Sequence, residues 1–153
     1  YINLVDELLR EDAKKLSDSV FLIDEFLANE IDANNITSQV FSKESKSILL
    51  HGHCHQKALS ATSYTKRVLG LPLNYTISEI PSGCCGMAGS FGYEKEHYEL
   101  SQKIGNQVLF PIIKQANSKT IIVANGTSCR HQICDGAGKT SKHAVEVLYE
   151  ALL

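Results

Sequence analysis

The sequence predicts an α/β protein, a three-layer sandwich around a small, mainly parallel sheet with cysteines at the C-terminal ends of its strands. Three observations carry this. Short apolar runs alternate with segments of helical periodicity, strand then helix, three times from Lys46 onward. The runs Ile48-Leu49-Leu50 and Ile121-Ile122-Val123-Ala124 are apolar throughout rather than alternating, as suits strands covered on both faces. Each predicted strand runs directly into a loop that contains cysteine. At 153 residues the chain is long enough to bury one real core without metal or disulfide staples.

The first elements are helical. Asn3 to Arg10 reads as a short helix with Leu4, Val5, Leu8 and Leu9 on one face. Asp18 or Ser19 can cap a second, in which Val20, Phe21, Ile23, Asp24, Phe26 and Leu27 recur at helical spacing. No cysteine or histidine lies here, so residues 1–45 are expected to be a helical segment that packs on the rest and does nothing more. Ile31 to Ser45 is polar and reads as a connection.

Lys46 to Leu50 predicts a buried strand entering His51-Gly52-His53-Cys54-His55. Gln56 to Leu69 predicts one helix, ended by Gly70 and Pro72. Leu73 to Ile77 alternates apolar and polar and predicts the second strand. A glycine-rich loop follows, Pro81-Ser82-Gly83-Cys84-Cys85-Gly86-Met87-Ala88-Gly89-Ser90-Phe91-Gly92. Glu94 to Ala116 is a long helical pattern that Pro111 should kink or split. Thr120 to Ala124 is the third strand, entering Asn125-Gly126-Thr127-Ser128-Cys129. Thr127 or Ser128 should cap a helix that carries Cys129, His131 and Cys134 and ends by Gly138. Ala144 to Leu153 closes the chain as an amphipathic helix.

The chemistry lies in the cysteines. Five is an odd number, which excludes a fully paired disulfide framework. No basic-then-apolar leader opens the sequence, so a reduced, cytoplasmic setting is expected. A chain that opens with Tyr1 reads as a piece of a longer protein. Adjacent Cys84 and Cys85 are poor disulfide partners for each other, because a trans peptide link does not readily give the required torsion. Thiolates are soft donors, suited to iron–sulfur clusters, zinc or copper(I). The topology should collect Cys54, Cys84, Cys85 and Cys129 at one sheet edge from three loops, where parallel sheets bind ligands. Gly83, Gly86 and Gly89 can turn backbone N–H groups toward an anionic group there. Cys54 and Cys129 fall at helix starts, where the dipole should favour thiolate.

His51, His53 and His55 alternate, so in an extended segment they would share one face. One of them could join cysteines in a zinc site, or all three could merely hydrogen-bond the loop. His131 is a candidate support for Cys129, whereas His97 and His143 read as surface or helix-start residues. Cys134, five residues past Cys129, should sit about 140° away around the helix and point elsewhere. Gln132 faces nearer the site, but an amide is a poor ligand for iron or zinc.

The glycine spacing around Gly86 is not that of a dinucleotide fingerprint, and no flavin, nicotinamide or phosphate-clamping signature is visible. A formal charge of -2 gives no case for nucleic acid, and no apolar run approaches the ~20 residues of a membrane span.

The blocks HGHCHQKAL, IPSGCCGMAGSFGYEKEHYELS and ANGTSCRHQI, spread over residues 46–153, resemble the cysteine-rich CCG domain. The resemblance is nearest to the C-terminal part of FAD-linked oxidases that carry iron–sulfur modules. It is more distant to the iron–sulfur subunit of glycolate oxidase and to the heterodisulfide reductase subunit with paired CCG domains. It implies an electron-transfer module that binds an iron–sulfur cluster through Cys54, Cys84, Cys85 and Cys129. The parent enzyme would be a dehydrogenase or oxidase acting on a 2-hydroxy acid such as lactate or glycolate. FAD would sit on a part of that enzyme outside this chain. The partners implied are that FAD-binding domain and a second cysteine-rich or ferredoxin-like domain, with contact to a membrane only through an electron acceptor. The other reading is a zinc-stabilised docking domain that carries no electrons. The sequence departs from the family at the end of its motif, where two cysteines separated by two residues are usual and Gln132, three positions after Cys129, stands in place of the second.

Overall fold

A computed structural model describes residues 2–153 as an α/β sandwich. Among these residues the elements run α1 (Arg10–Asp18), α2 (Ile23–Asp32), β1 (Lys46–His51), α3 (Cys54–Leu59), α4 (Thr62–Leu69) and β2 (Tyr75–Glu79), then α5 (Tyr98–Gln107), α6 (Leu109–Gln115), β3 (Ile121–Ala124), α7 (Thr127–Ala137) and α8 (Ala144–Tyr149). The sheet order is β2-β1-β3, and both pairings are parallel, with Ile48 opposite Ile77 on one side and Ile121 on the other.

Strand parity divides the core. Ile48 and Leu50 of β1 and Val123 of β3 face α2, α4 and α8, packing with Ala28, Val68, Leu69, Val147 and Leu148. Leu49 of β1 and Ile122 and Ala124 of β3 face the other way, with Leu109, Phe110 and Ile113 of α6 and Ile133 of α7. Cys85 and Cys129 belong to this second core. Burying side chains of this size contributes ~1.5–3 kcal/mol each, so the two cores account for a stable sheet without metal.

Pro111 acts as expected, three residues early. The break falls at Val108 (φ -138°, ψ -48°), and Pro111 occupies the first turn of α6. There its missing N–H is no loss, while its ring would clash with the carbonyl four residues back. Phe110 fills the space that follows. A Cβ on Gly105 of α5 or on Gly136 of α7 would overlap its ring, so both helices close on one aromatic side chain. Gly136→Ala should gain ~1 kcal/mol of helix propensity but lose ~1–3 kcal/mol to the overlap. A net loss near 1 kcal/mol is expected in urea unfolding, and a gain would show that the ring has room to move.

Four expectations need correction. The helix over Asn3–Arg10 is instead two turns of 3-10 helix, and α1 begins only at Arg10. Three residues per turn does not keep a Leu4–Leu8 pair on one face, and both side chains are largely exposed. In α2 the inward stripe is Asp24, Leu27, Ala28 and Ile31, while Val20, Phe21, Ile23 and Phe26 are exposed. The helix expected over Gln56–Leu69 is broken at Ser60 and Ala61, because the Thr62 hydroxyl donates to Glu79 (3.1 Å) and ties the start of α4 to the end of β2. The last helix stops at Tyr149, where the chain turns to bring Leu152 against Phe41 in an antiparallel bridge.

Candidate metal centre

The three strands deliver their cysteines to one sheet edge. After β1, His53 is the N-cap of α3 and Cys54 its first residue. After β2, the chain enters the glycine loop with Cys84 and Cys85. After β3, Gly126 caps α7, and Cys129 lies in its first turn. Neither Thr127 nor Ser128 caps this helix. A Cβ on Gly126 would stand 3.0 Å from His53 Nδ1 and 3.1 Å from Cys129 Sγ, so any other residue at this cap would have to push these groups aside by a few tenths of an ångström.

All five cysteines are free thiols. The sulfurs of Cys85 and Cys129 touch at 3.4 Å, both buried. His53 Nδ1 lies 3.3 Å from Cys129 Sγ. Cys54 and Cys84 are half-buried and interact with each other and with Cys85. The Gly86 N–H donates to Cys84 Sγ at 3.3 Å, from a glycine at φ +102°. A cavity of about 610 Å³ opens over these groups, lined by Cys54, Cys85, His53, Ala88, Gly89 and Ser128 among others.

His51 completes the buried part. One ligand atom from each of His51, Cys85 and Cys129 falls within 4.8 Å of the others. Its Nδ1 is 2.8 Å from Ser82 Oγ, and its Nε2 is buried and makes no well-formed hydrogen bond, although His51 interacts with Cys85. A buried imidazole nitrogen rarely goes unpaired. A partner on Nδ1 that fixes the ring while Nε2 stays free is the arrangement found behind metal-bound histidine. Two buried sulfurs in contact and one unpaired nitrogen make a donor set that fits zinc or an iron–sulfur group.

The proton distribution differs from the helix-dipole expectation. The Cys129 thiol hydrogen bond outweighs burial and, with His51 and the Met87 N–H, draws the Cys85 pKa down to about 4. The same hydrogen bond, with burial, pushes Cys129 up. Burial and the neighbouring Cys84 push Cys54 up as well. The ready thiolate is therefore Cys85, because crowding among sulfurs exceeds the pull of a helix terminus. Burial holds His53 below its usual range, which keeps that imidazole neutral.

The alternating histidines do not share a face. His51 ends the strand, His53 caps α3, and His55 is exposed on α3, its ring stacked 6.2 Å from that of His53. Strand parity could have singled out His51, since it follows Leu49 onto the face of the second core. His131 turns away from Cys129 to meet the Tyr93 hydroxyl at 2.6 Å on the surface. His143 is the N-cap of α8, within a capping box completed by Glu146. Cys134 is exposed on the continuous helix α7. Of the three expected glycines, Gly86 is pressed against the protein, whereas a Cβ on Gly83 or Gly89 would meet nothing.

Behind the site lies a buried polar web that sequence reasoning missed. The Asp24 carboxylate accepts from Gln56 Nε2 (2.6 Å), Asn125 Nδ2 (3.3 Å) and the Thr65 hydroxyl. Asp24 thus joins the helix that carries Cys54 to the turn that precedes Cys129.

The chain is similar to one of the subunits of the anaerobic glycerol-3-phosphate dehydrogenase of Escherichia coli (strain K12), 28% identical over 146 residues that make up 95% of this chain and 36% of the relative. It is also similar to D-2-hydroxyglutarate dehydrogenase of the same organism, 30% identical over 128 residues, 82% of this chain and 12% of that protein. The Haemophilus influenzae D-2-hydroxyglutarate dehydrogenase is 36% identical over a shorter stretch of 70 residues. The chain therefore spans about a third of the first relative's length and about an eighth of the second's. No protein-family model matches it, and no solved structure does.

Proposed function

We propose that this chain is a cysteine-rich CCG module that holds an iron–sulfur cluster and passes electrons within a FAD-linked oxidoreductase. The observation that carries the proposal is the buried Cys85–Cys129 sulfur pair beside the unpaired His51 Nε2, with Cys54 and Cys84 at the rim. Similarity to dehydrogenase chains supports the oxidoreductase class. Cys54, Cys84, Cys85 and Cys129 would be the ligands, and the cluster would supply one-electron transfer when bound. The chain's own residues would set its potential. Burial of Cys85 and Cys129 excludes water, and backbone N–H groups at Gly83, Gly86 and Gly89 would offset negative charge. Residues 46–153 would be the module and residues 1–45 an extension that braces it. The FAD-binding domain, a second cysteine-rich or ferredoxin-like domain and a 2-hydroxy-acid substrate would belong to the rest of a cytoplasmic enzyme. No helix among the described residues is long and apolar enough to cross a membrane.

One observation favours a second reading. His51, Cys85 and Cys129 alone are a compact nitrogen-and-sulfur set suited to structural zinc, in a docking domain without electron transfer. Anaerobic reconstitution with iron and sulfide separates the two. Broad visible absorption, matched iron and sulfide content and an EPR signal on reduction are expected. Cys129→Ser should remove them and Cys134→Ser should not. Uptake of zinc alone would establish the docking reading, and equal loss in both variants would restore Cys134 as a ligand.

A further inference from the structure

We infer that Gln132 is a positioning residue that sets the distance between the Cys85 and Cys129 sulfurs, an inference that rests on these two cysteines sharing a metal. Gln132 is almost wholly buried, at 2% exposure. Its amide is fully engaged. The two protons of Nε2 are shared among the Cys85 carbonyl (3.0 Å), Ser101 Oγ (2.9 Å) and the Ser101 carbonyl (3.2 Å). Oε1 accepts from Gln102 Nε2 at 3.2 Å. Donors on one side and acceptors on the other fix which way the amide points.

The consequence falls on the Cys85–Gly86 peptide. Its carbonyl is held by Gln132, while Gly86, at φ +102°, presses so closely on Ser101 that a Cβ would overlap the Ser101 carbonyl oxygen. The peptide that carries Cys85 is thus clamped from α7 and from α5. Gln132 stands three residues beyond Cys129 on α7, about 60° around the helix axis. One helix therefore carries both the Cys129 sulfur and the strut that holds Cys85 beside it. With the loop free of regular structure from Ile80 to Ser90, nothing else in α7 or α5 donates to the Cys85 carbonyl. This explains why a position facing the site holds an amide that offers no lone pair to a metal. Its work is on the backbone behind the ligand.

The test is anaerobic titration of the whole chain with Co²⁺, read by the thiolate-to-cobalt charge-transfer band and by far-UV circular dichroism. Gln132→Met keeps the volume and removes the donors. It should retain the fold and bind Co²⁺ about 10–100-fold more weakly, the usual cost of losing a group that orients a ligand. Ser101→Ala leaves the Gln132–Cys85 bond in place and should bind within about threefold of the parent. If Gln132→Met does not fold, Gln132→Leu, which also removes the donors without adding a charge, is read in its place with the same expectation. Binding by the Gln132 variant within twofold of the parent overturns the inference. So does an equal loss in Ser101→Ala, which would mean that packing of α5 on α7 sets the affinity. A parent chain that gives no thiolate-to-cobalt band fails earlier, taking the metal site and this inference together, and that failure is visible before any variant is made.

Discussion

Cys85→Ser is expected to weaken metal binding by at least about a hundredfold while leaving the unfolding midpoint of the metal-free protein almost unchanged. The loss should exceed the 10–100-fold cost of removing a supporting group, because Cys85 would itself be a ligand. Its thiol, with a pKa drawn down to about 4, is ionised at neutral pH and ready to bind. A serine hydroxyl in the same place stays protonated and is a hard donor, unsuited to a soft site. Stability responds differently. The substitution removes no carbon atoms, and the new hydroxyl lies beside the Cys129 sulfur that Cys85 touches at 3.4 Å, so a change of about 1 kcal/mol or less is expected. The two cores on either side of the sheet contain enough aliphatic side chains to hold the fold without metal. Parent and variant are compared by competitive zinc titration and, both metal-free, by thermal unfolding. A large fall in midpoint with metal affinity retained would make Cys85 a core residue.

The parts of this molecule that were legible in the sequence are those governed by local chemistry and by burial. Ile48-Leu49-Leu50 and Ile121-Ile122-Val123 read as strands covered on both faces, and their side chains do divide between two cores. Parallel strands then require that Cys54, Cys84, Cys85 and Cys129 emerge at the same edge, whatever they bind. Pro111 announced a helix break, and Gly138, at φ +64°, ends α7 within the expected stretch. What was not legible depends on partners far away in the chain. Strand parity places His51 on the face of Leu49, but what its ring does there depends on Ser82, 31 residues on, which takes its Nδ1. Gln132 looks like a failed ligand until Ser101 and the Cys85 carbonyl are seen around it. The direction of proton sharing between Cys85 and Cys129 follows from contact at 3.4 Å, which outweighs the helix-end position that the sequence does reveal. The N-terminal helices illustrate the same limit. Helical spacing grouped Val20, Phe21, Ile23, Asp24, Phe26 and Leu27, but of these only Asp24 is buried and Leu27 half-buried, so α2 turns inward on its polar member.

Asp24→Ala is accordingly expected to destabilise the fold by about 3–5 kcal/mol, and to disturb the cysteine loops as it does so. Asp24 is 2% exposed, and its carboxylate is the shared acceptor for Gln56, Thr65 and Asn125. Alanine leaves the buried Thr65 hydroxyl facing an apolar gap and takes one acceptor each from buried Gln56 and half-buried Asn125, which keep only Thr65 Oγ1 at 2.9 and 3.3 Å. Each unsatisfied group costs about 1–3 kcal/mol, and partial relaxation keeps the total below the simple sum. Asp24→Asn should cost less, about 1–2 kcal/mol, since one amide oxygen can still accept while its amino group faces donors it cannot serve. The effect should reach the site through two short paths. Gln56 lies two residues past Cys54 on α3, and Asn125 separates β3 from the Gly126 cap of α7 while its Oδ1 also accepts from the Ala144 N–H at 3.2 Å. Loss of the carboxylate frees both helix starts that carry cysteine. Urea unfolding of the metal-free protein measures the first effect, and zinc affinity under conditions where the variant stays folded measures the second. An Asp24→Ala protein within 1 kcal/mol of the parent would show that the donors find other acceptors, and that residues 1–45 pack on the sheet without bracing the site.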